Sequence, residues 1–217
     1  MKTKILLVCG LLLAGISCKK DRPSPYPTSG LISYFNFDDN LKDQKGYTND
    51  GVKTGAPTYL TGVIGKAIHF NGTDQKIVFT PKIPVVSPKI SVSVWVKTDV
   101  GNINSIFLNV GGANFSTSGQ NTLYFYTVTG NGVVTGGLIS TSQWTHIVGT
   151  HDGNTAKLYI NGVLNTSNIQ NGDLNAFGAN LTLGNYNQDF WAGSIDELYI
   201  YNRALSQAEV TQLYNLK

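Results

Sequence analysis

The sequence predicts an all-β sandwich, and three observations lead to this fold class. The 217-residue chain contains 24 glycines, 11% aromatic residues and only 13% charged residues, which suits many short strands around one core. Residues 144–164 contain Asp152-Gly153 and Asn161-Gly162, dipeptides that readily adopt the positive φ angles of hairpin turns. Between these turns, apolar and more polar residues alternate from 155 to 160, which is the period of a strand with one buried face.

The remaining strands follow from the same alternation. It is strictest in 90–98, where isoleucine and valine lie on one side and serine, tryptophan and lysine on the other. Asn71-Gly72 predicts a further hairpin turn, between strands 66–70 and 75–80. Other strands are predicted at 31–38, 105–110, 122–128, 133–139, 181–183 and 194–201.

One helix is predicted, at the end of the chain. Ser206 and Glu209 have the spacing of a capping box, in which each side chain bonds to the backbone N–H of the other residue. Val210, Leu213 and Tyr214 form an apolar face behind it. Because the helix is short, it must pack on the sandwich to be stable.

The first 17 residues have the pattern of a lipoprotein signal peptide. Lys2 and Lys4 precede an apolar run, 5–14, that is too short to span a membrane. Small residues then lead to Cys18 in a string that resembles a bacterial lipobox. This resemblance implies cleavage before Cys18, lipidation of its sulfur and a lipid anchor in the membrane. An ordinary secretion signal with an unrelated cysteine is the alternative.

The mature chain is then predicted to have two parts. Residues 18–29 form a proline-rich linker after the lipidated cysteine, and residues 30–217 form the folded domain. Cys9 is lost with the signal peptide, so Cys18 is the one cysteine left and a disulfide within the mature chain is excluded.

Charge argues against a nucleic-acid ligand. The formal net charge of +3 includes Lys2 and Lys4, and without them 14 basic residues face 13 acidic ones. No basic run with interleaved aromatic residues follows in the domain, so the sequence lacks the electrostatic footprint of nucleic-acid binding.

The sequence also predicts that the protein is not an enzyme. Glycosidases generally use two carboxylates on either side of the scissile bond, yet Glu197 and Glu209 are the only glutamates and no paired motif surrounds them. The three histidines are scattered, the domain has no cysteine nucleophile, and no Gly-x-Ser-x-Gly elbow is present.

Asp196 is the strongest candidate for a metal ligand. Simple alternation places it on the same side of its strand as Leu198 and Ile200, which suggests apolar surroundings. A buried carboxylate needs a partner, and calcium prefers carboxylate and carbonyl oxygens. Asp38, at the end of the first strand, could supply a second oxygen. The alternative is that Asp196 accepts backbone N–H bonds from a neighbouring loop.

Aromatic and amide side chains are the candidate ligand-binding residues. Tyr124 and Tyr126 lie two apart on one strand face, and Tyr186, Asn187 and Asp189 share a later loop. Aromatic faces stack on sugar rings, while amides and carboxylates bond to sugar hydroxyls. The alternative is that Tyr124 and Tyr126 merely pack in the sheet.

Several strings together resemble the laminin-G-like, concanavalin A-like lectin/glucanase superfamily of bacterial surface proteins. They are YFNFDDN, GKAIHFNGTDQKIVF, ISVSVWVKT, WTHIVGTHDGNTAKLYINGVL and FWAGSIDELYIYNRALSQAEV, and they span about residues 30–217. The resemblance implies a jelly roll of two antiparallel sheets, one of them concave. It also implies a structural calcium near Asp38 and Asp196, and it does not imply catalysis because the hydrolase carboxylate motif is missing.

The residues and the resemblance support one leading hypothesis. The protein is expected to be a lipid-anchored lipoprotein of the outer membrane or cell surface, of the Bacteroidetes type, that binds a glycan or glycoprotein non-catalytically. A protein–protein adhesion or assembly subunit is the alternative, and a glycoside hydrolase with atypical carboxylates is a weaker one. The sequence does not predict the ligand or the oligomeric state.

Overall fold

A computed structural model describes residues 24–82, 87–101, 105–110, 113–119, 121–127, 133–141, 143–170, 180–186 and 189–217. Nearly all regular structure in these residues is β, with one helix at the end of the chain. The elements are β1 Leu31–Phe35, β2 Val52–Thr54, β3 Thr58–Thr61, β4 Lys66–Asn71, β5 Lys76–Phe79, β6 Ile90–Thr98, β7 Ser105–Val110, β8 Ala113–Ser118, β9 Thr122–Thr127, β10 Val133–Leu138, β11 Thr145–His151, β12 Thr155–Ile160, β13 Val163–Ile169, β14 Leu181–Leu183, β15 Asn185–Tyr186, β16 Asp189–Phe190, β17 Ala192–Tyr201 and α1 Gln207–Tyr214.

The strands form two large antiparallel sheets. The eight-stranded sheet has the order β13-β12-β11-β6-β17-β4-β3, and β1 also pairs with β17. The seven-stranded sheet has the order β10-β9-β8-β7-β14-β5-β2, while β15 and β16 form a separate small hairpin. Apolar side chains of the two large sheets meet in one buried core. This arrangement confirms the predicted all-β sandwich, and it has the form of a concanavalin A-like jelly roll.

The double hairpin at 145–169 is confirmed. β11 pairs with β12, and β12 pairs with β13, through the two predicted turns. Asn161 and Gly162 have φ angles of 50° and 81°, as the tight two-residue turn requires. The hairpin predicted at Asn71-Gly72 is wrong. β4 and β5 belong to different sheets, so this turn carries the chain from one sheet to the other.

The structure also contains strands that the sequence did not predict. β2, β3 and β8 are polar, and β2 and β3 are short edge strands with mostly exposed residues. β8, with the sequence ANFSTS, lies inside the seven-stranded sheet between β7 and β9. Its side chains prove important for the candidate site.

Helix α1 packs on the outer face of the eight-stranded sheet. Its predicted capping box is present, since Ser206 and Glu209 bond reciprocally to backbone N–H groups. Val210 and Leu213 are buried, and the Tyr214 ring stacks on Trp95 with centroids 5.6 Å apart. Among the described residues, no helix is long and apolar enough to cross a membrane.

Residues 24–29, which the sequence assigned to the linker, contact this same outer face. The Tyr26 ring packs against the rings of Tyr34 and Tyr199, with centroids 5.4 Å away in both cases. The backbone oxygen of Pro27 accepts a hydrogen bond from the Tyr201 hydroxyl at 3.1 Å. The chain therefore contacts the domain from Pro25, whose backbone oxygen accepts a hydrogen bond from the Gln212 side chain at 3.0 Å.

Candidate functional site

Two tyrosines project from the outer face of the seven-stranded sheet. Along β9, Leu123 and Phe125 point into the core, so Tyr124 and Tyr126 point the other way and are half-buried. Their rings stack on one another, with centroids 5.9 Å apart and planes inclined by 19°. The pair therefore forms an aromatic surface on the side of the sheet away from the core.

Strand pairing places short polar side chains beside the tyrosines. Asn114 of β8 lies opposite Tyr126, and Ser116 lies opposite Tyr124. The hydroxyl of Ser118, also on β8, donates to the Tyr124 hydroxyl at 3.0 Å. Cross-strand partners share a face of the sheet, so aromatic rings, an amide and hydroxyl groups line one continuous surface.

These residues form one wall of a cleft, here called the tyrosine cleft. Its volume is about 590 Å³, including the part open to solvent. The β15–β16 hairpin closes one side, where the backbone oxygen of Asp189 accepts hydrogen bonds from Ser105 at 3.4 Å and from Asn185 at 3.1 Å. The lining residues are Ser105, Asn114, Ser116, Thr117, Ser118, Tyr126 and Asp189.

One polar atom in the wall of the tyrosine cleft is unsatisfied. The side-chain oxygen Oδ1 of Asn114 is shielded from water and accepts no hydrogen bond in the described structure. A buried acceptor without a donor costs roughly 1–3 kcal/mol. The carboxylate of Asp189 is the one charged group that lines the described cleft.

The cleft brings together three of the five residues predicted to bind ligand. Tyr126 and Asp189 line it, and Tyr124 stacks on Tyr126 beside it. The backbone of Tyr186 pairs with Asp189 in the small hairpin, but its side chain lies outside the described part of the structure. Asn187 also lies outside the described residues, as does Cys18, the predicted lipidation site.

The sequence did not predict the contribution of β8. Asn114, Ser116 and Ser118 alternate with Ala113, Phe115 and Thr117, so the period of a half-buried strand was present. The polar composition and the glycines at 111, 112 and 119 instead favoured a loop.

Asp38 and Asp196, the predicted calcium ligands, both bond to the β3–β4 turn. Asp196 accepts backbone N–H bonds from Val63 at 2.8 Å and Ile64 at 3.2 Å, and its other oxygen accepts from Glu197 at 2.8 Å. Asp38 accepts from the backbone N–H of Lys66 at 2.8 Å. The alternative proposed for Asp196, bonding to a neighbouring loop, is thus present in the structure.

A β-bulge changes the predicted side of Asp196. Asp196 pairs with Trp95 and Tyr199 with Ser93, so β17 has one more residue than β6 between these pairs. The extra residue forms a β-bulge at Glu197, whose backbone is left-handed with a φ angle of 48°. The prediction that Asp196 shares a side with Leu198 is therefore wrong, since Leu198 enters the core.

Asp196 is nevertheless fully buried, and burial raises the pKa of its carboxyl group to about 7. Calcium takes about six to eight oxygen ligands, whereas the described oxygens of Asp196 already face three N–H donors. The described residues contain no group of three or more histidine, cysteine or acidic side chains that could hold a metal. These residues fit calcium poorly, and calcium at Asp38 and Asp196 stays a prediction.

Glu197 is adjacent to Asp196 in the chain, but its carboxylate has different hydrogen-bond partners. The carboxylate accepts hydrogen bonds from the hydroxyl groups of Tyr34, at 3.1 Å, and Tyr199. Burial raises the pKa of Glu197, and these two hydroxyl donors oppose that rise. Both carboxyl groups are buried on the eight-stranded sheet, away from the tyrosine cleft.

A comparison with protein families identifies the family of this chain. Residues 71–211 match the Laminin_G_3 family, described as the concanavalin A-like lectin/glucanases superfamily. The chain belongs to this superfamily. The predicted resemblance to this superfamily is thereby confirmed, and the two-sheet sandwich is consistent with a concanavalin A-like jelly roll.

Solved structures that resemble this superfamily member include a domain of an arabinanase and the binding domains of toxins. Domain 4 of AbnA, a GH43 extracellular arabinanase from Geobacillus stearothermophilus, was solved in complex with arabinotriose. It is 30% identical to this chain, with a TM-score of 0.70, and the match covers 85% of this chain and 98% of that domain. A search of curated proteins found no match.

Two toxin domains show the same fold at lower identity. The binding domain of Paraclostridial Mosquitocidal Protein 1 is 21% identical, with a TM-score of 0.71, over 86% of this chain and 52% of that one. The binding domain of botulinum neurotoxin DC, solved in complex with rat synaptotagmin II, is 17% identical, with a TM-score of 0.67, over 86% and 51%. The chain spans about half the length of these two toxin domains.

Proposed function

We propose that this domain binds carbohydrate at the tyrosine cleft without cleaving it. The observation that carries the proposal is the juxtaposition of a stacked, half-buried tyrosine pair with a cleft of hydroxyl, amide and carboxylate groups. A sugar has apolar ring faces and a rim of hydroxyls, so it needs both kinds of surface at once. The tyrosine pair supplies the first and β8 with Asp189 supplies the second.

The geometry suggests a role for each part. The exposed face of the Tyr126 ring would stack on a sugar ring, and Tyr124 would hold that ring in place through their stacking contact. The Asn114 amide and the Asp189 carboxylate would form hydrogen bonds with sugar hydroxyls. Little conformational entropy would be lost, because the tyrosines are already ordered against each other.

Two considerations favour binding over hydrolysis. Among the described residues of the cleft, Asp189 is the single carboxylate, whereas glycosidases generally use a pair. The adjacent carboxyl groups of Asp196 and Glu197 are buried on the opposite sheet. Support for a sugar ligand comes from the AbnA domain, which is 30% identical and was solved with arabinotriose.

The cellular context is part of the same proposal. Cys18 would carry the lipid, and the protein would be a lipoprotein of the outer membrane or cell surface that presents the domain to glycans or glycoproteins. Metabolic labelling with a palmitate analogue tests this step. The Cys18→Ser variant is expected to lose the label and to leave the membrane fraction, and a labelled Cys18→Ser variant would contradict it.

The binding site is tested with three variants on a glycan array and by calorimetry with arabinotriose and linear arabinan. Tyr126→Ala and Asn114→Ala should each weaken binding about tenfold or more, since ~1.4 kcal/mol corresponds to a factor of ten. Tyr59→Ala is the matched control, because Tyr59 is a half-exposed tyrosine of edge strand β3 in the other sheet. It should bind like the wild type.

Two outcomes would count against the proposal. An array without any hits for the wild type would favour the alternative of a protein-binding adhesion or assembly subunit. Release of reducing sugar from a bound polysaccharide, lost in Asp189→Asn, would instead indicate a hydrolase with atypical carboxylates.

A further inference from the structure

Basic residues are missing from a long part of the sequence. No lysine or arginine occurs between Lys97 and Lys157, and none occurs again between Lys157 and Arg203. The acidic residues in these stretches include Asp99, Asp152 and Asp189. The chain has 16 basic and 13 acidic residues, so its basic residues are concentrated elsewhere.

This cation-free part of the chain builds the tyrosine cleft. Strands β7–β10 and β14–β16 all come from it. The seven-stranded sheet has its lysines on β2 and β5, at Lys53 and Lys76, which lie beyond β14 at the far edge. Lys53 is held over the ring of Tyr59 at 4.7 Å, directed toward the other sheet's edge strand.

The two lysines that border these stretches also lie away from the cleft. Lys97 and Lys157 belong to β6 and β12 of the eight-stranded sheet. The Lys97 ammonium group lies 5.4 Å from the ring centroid of Trp144. The described lining of the cleft therefore contains one formal charge, and that charge is the negative one of Asp189.

Such a site discriminates between sugars by charge. A neutral sugar can donate hydrogen bonds from its hydroxyls to the Asp189 carboxylate and can hydrogen-bond with the Asn114 amide. A carboxylate, sulfate or phosphate group would lose water in the cleft, would find no cation there and would be repelled by Asp189. A surface that excludes one class of ligand by like charge is a common source of specificity.

We infer that the tyrosine cleft selects neutral glycans and rejects chains that carry carboxylate, sulfate or phosphate groups. This inference rests on the proposed carbohydrate binding and adds the substrate class. Among polysaccharides, it assigns the domain to uncharged, hydroxyl-rich polymers rather than to uronate-rich or sulfated ones.

The test is a glycan array that contains neutral glycans and charged counterparts with the same backbone. Suitable pairs are methyl-esterified and de-esterified homogalacturonan, and xylan without and with glucuronate side chains. The full-length protein is expected to bind only neutral members, with charged counterparts at least tenfold weaker. Equal or tighter binding of a charged counterpart would overturn the inference and leave the proposed function standing. No binding to any glycan would overturn both.

A pair of variants tests whether Asp189 contributes to this selection. Asp189→Lys should reduce the discrimination against charged glycans several-fold at low salt, and this change should shrink as salt screens the new charge. Asp50→Lys is the matched control, since Asp50 is exposed and precedes β2 at the far edge of the same sheet. An equal reduction of this discrimination in both variants would show that overall charge, rather than the cleft, sets the selection.

Discussion

The ring of Phe125 occupies the space that a side chain on Gly149 would need. A Cβ atom built on Gly149 of β11 would lie 2.4 Å from two carbons of this ring. Phe125 belongs to β9, the strand that carries Tyr124 and Tyr126 on its other face. The glycine therefore lets the two sheets approach directly beneath the tyrosine pair.

Replacement of this glycine should destabilise the sandwich. We expect Gly149→Ala to lower the free energy of unfolding by about 1–3 kcal/mol, because an added methyl group in a filled core forces neighbouring side chains to move. Urea unfolding measures the change. Gly101→Ala is the control, since a Cβ there meets no atom of the described residues within 4 Å. Equal stabilities of the two variants would show that the sheets adjust freely at this contact.

The Tyr199 hydroxyl should contribute to stability through Glu197. Tyr199→Phe keeps the ring that stacks on Tyr34 at 4.4 Å but removes one donor from the buried carboxylate. We expect a loss of about 1–3 kcal/mol in urea unfolding. Tyr159→Phe is the control, because Tyr159 lies in the same apolar cluster and has no side-chain hydrogen bond among the described residues. Similar losses in both variants would argue against a specific role for Glu197.

Asp196 should hold the β3–β4 turn through its hydrogen bonds. Asp196→Ala leaves the N–H groups of Val63, Ile64 and Glu197 without their acceptor, and we expect a loss of roughly 2–4 kcal/mol. Asp50→Ala, at an exposed position, should change stability by less than about 0.5 kcal/mol.

The same variant decides the calcium prediction. If hydrogen bonds hold the turn, Asp196→Ala is destabilised equally in EGTA and in CaCl₂, and the wild-type melting temperature is the same in both. If calcium is bound, the wild type melts at a higher temperature in CaCl₂ than in EGTA. The Asp196→Ala and Asp38→Ala variants both lose this difference.

His146 should make the domain sensitive to acid. Burial, aided by the charge of Lys217, lowers the pKa of His146 to about 3, whereas an unfolded histidine titrates near ~6.5. At a pH between these two pKa values, the unfolded chain binds a proton at this histidine and the folded domain does not. The stability from this group is therefore complete above pH ~6.5 and falls as the pH drops, by up to about 1.4 kcal/mol per pH unit.

The measurement compares the wild type with His146→Gln. Urea unfolding at pH 7, 6, 5 and 4 gives the difference in the free energy of unfolding between the two proteins. The contributions of other titrating groups largely cancel in this difference. We expect the advantage of the wild type to shrink steadily below pH 6. Parallel pH profiles for the two proteins would mean that His146 is protonated in the folded domain.

Much of the scaffold was predictable because its signals are local. The turns at Asp152-Gly153 and Asn161-Gly162 and the capping box at Ser206 each depend on residues within a few positions of one another. Asn71-Gly72 has the same chemistry yet connects two sheets, because the choice of strand partner depends on the rest of the fold. The bulge at Glu197 likewise could not be predicted from the sequence, since a bulge is defined only by the pairing with the partner strand β6.

The candidate site was predictable in part. Tyr124 and Tyr126 followed from alternation, whereas Asn114 and Ser116 became neighbours only through the pairing of β8 with β9. A polar strand with flanking glycines has little to distinguish it from a loop until its partner is known. The unsatisfied oxygen of Asn114 depends on the packing of several strands and has no counterpart in a local pattern.

The docking of residues 24–29 has a consequence for how the domain would stand on a membrane. This segment lies on the outer face of the eight-stranded sheet, and the cleft opens on the outer face of the other sheet. If Cys18 carries a lipid, Ser24 lies six positions further along the chain, a reach of at most about 22 Å. The tether would then be short, and the domain would rest with its helix side toward the bilayer. The face with the tyrosine cleft would point outward, where a polymer can approach without passing the lipid surface.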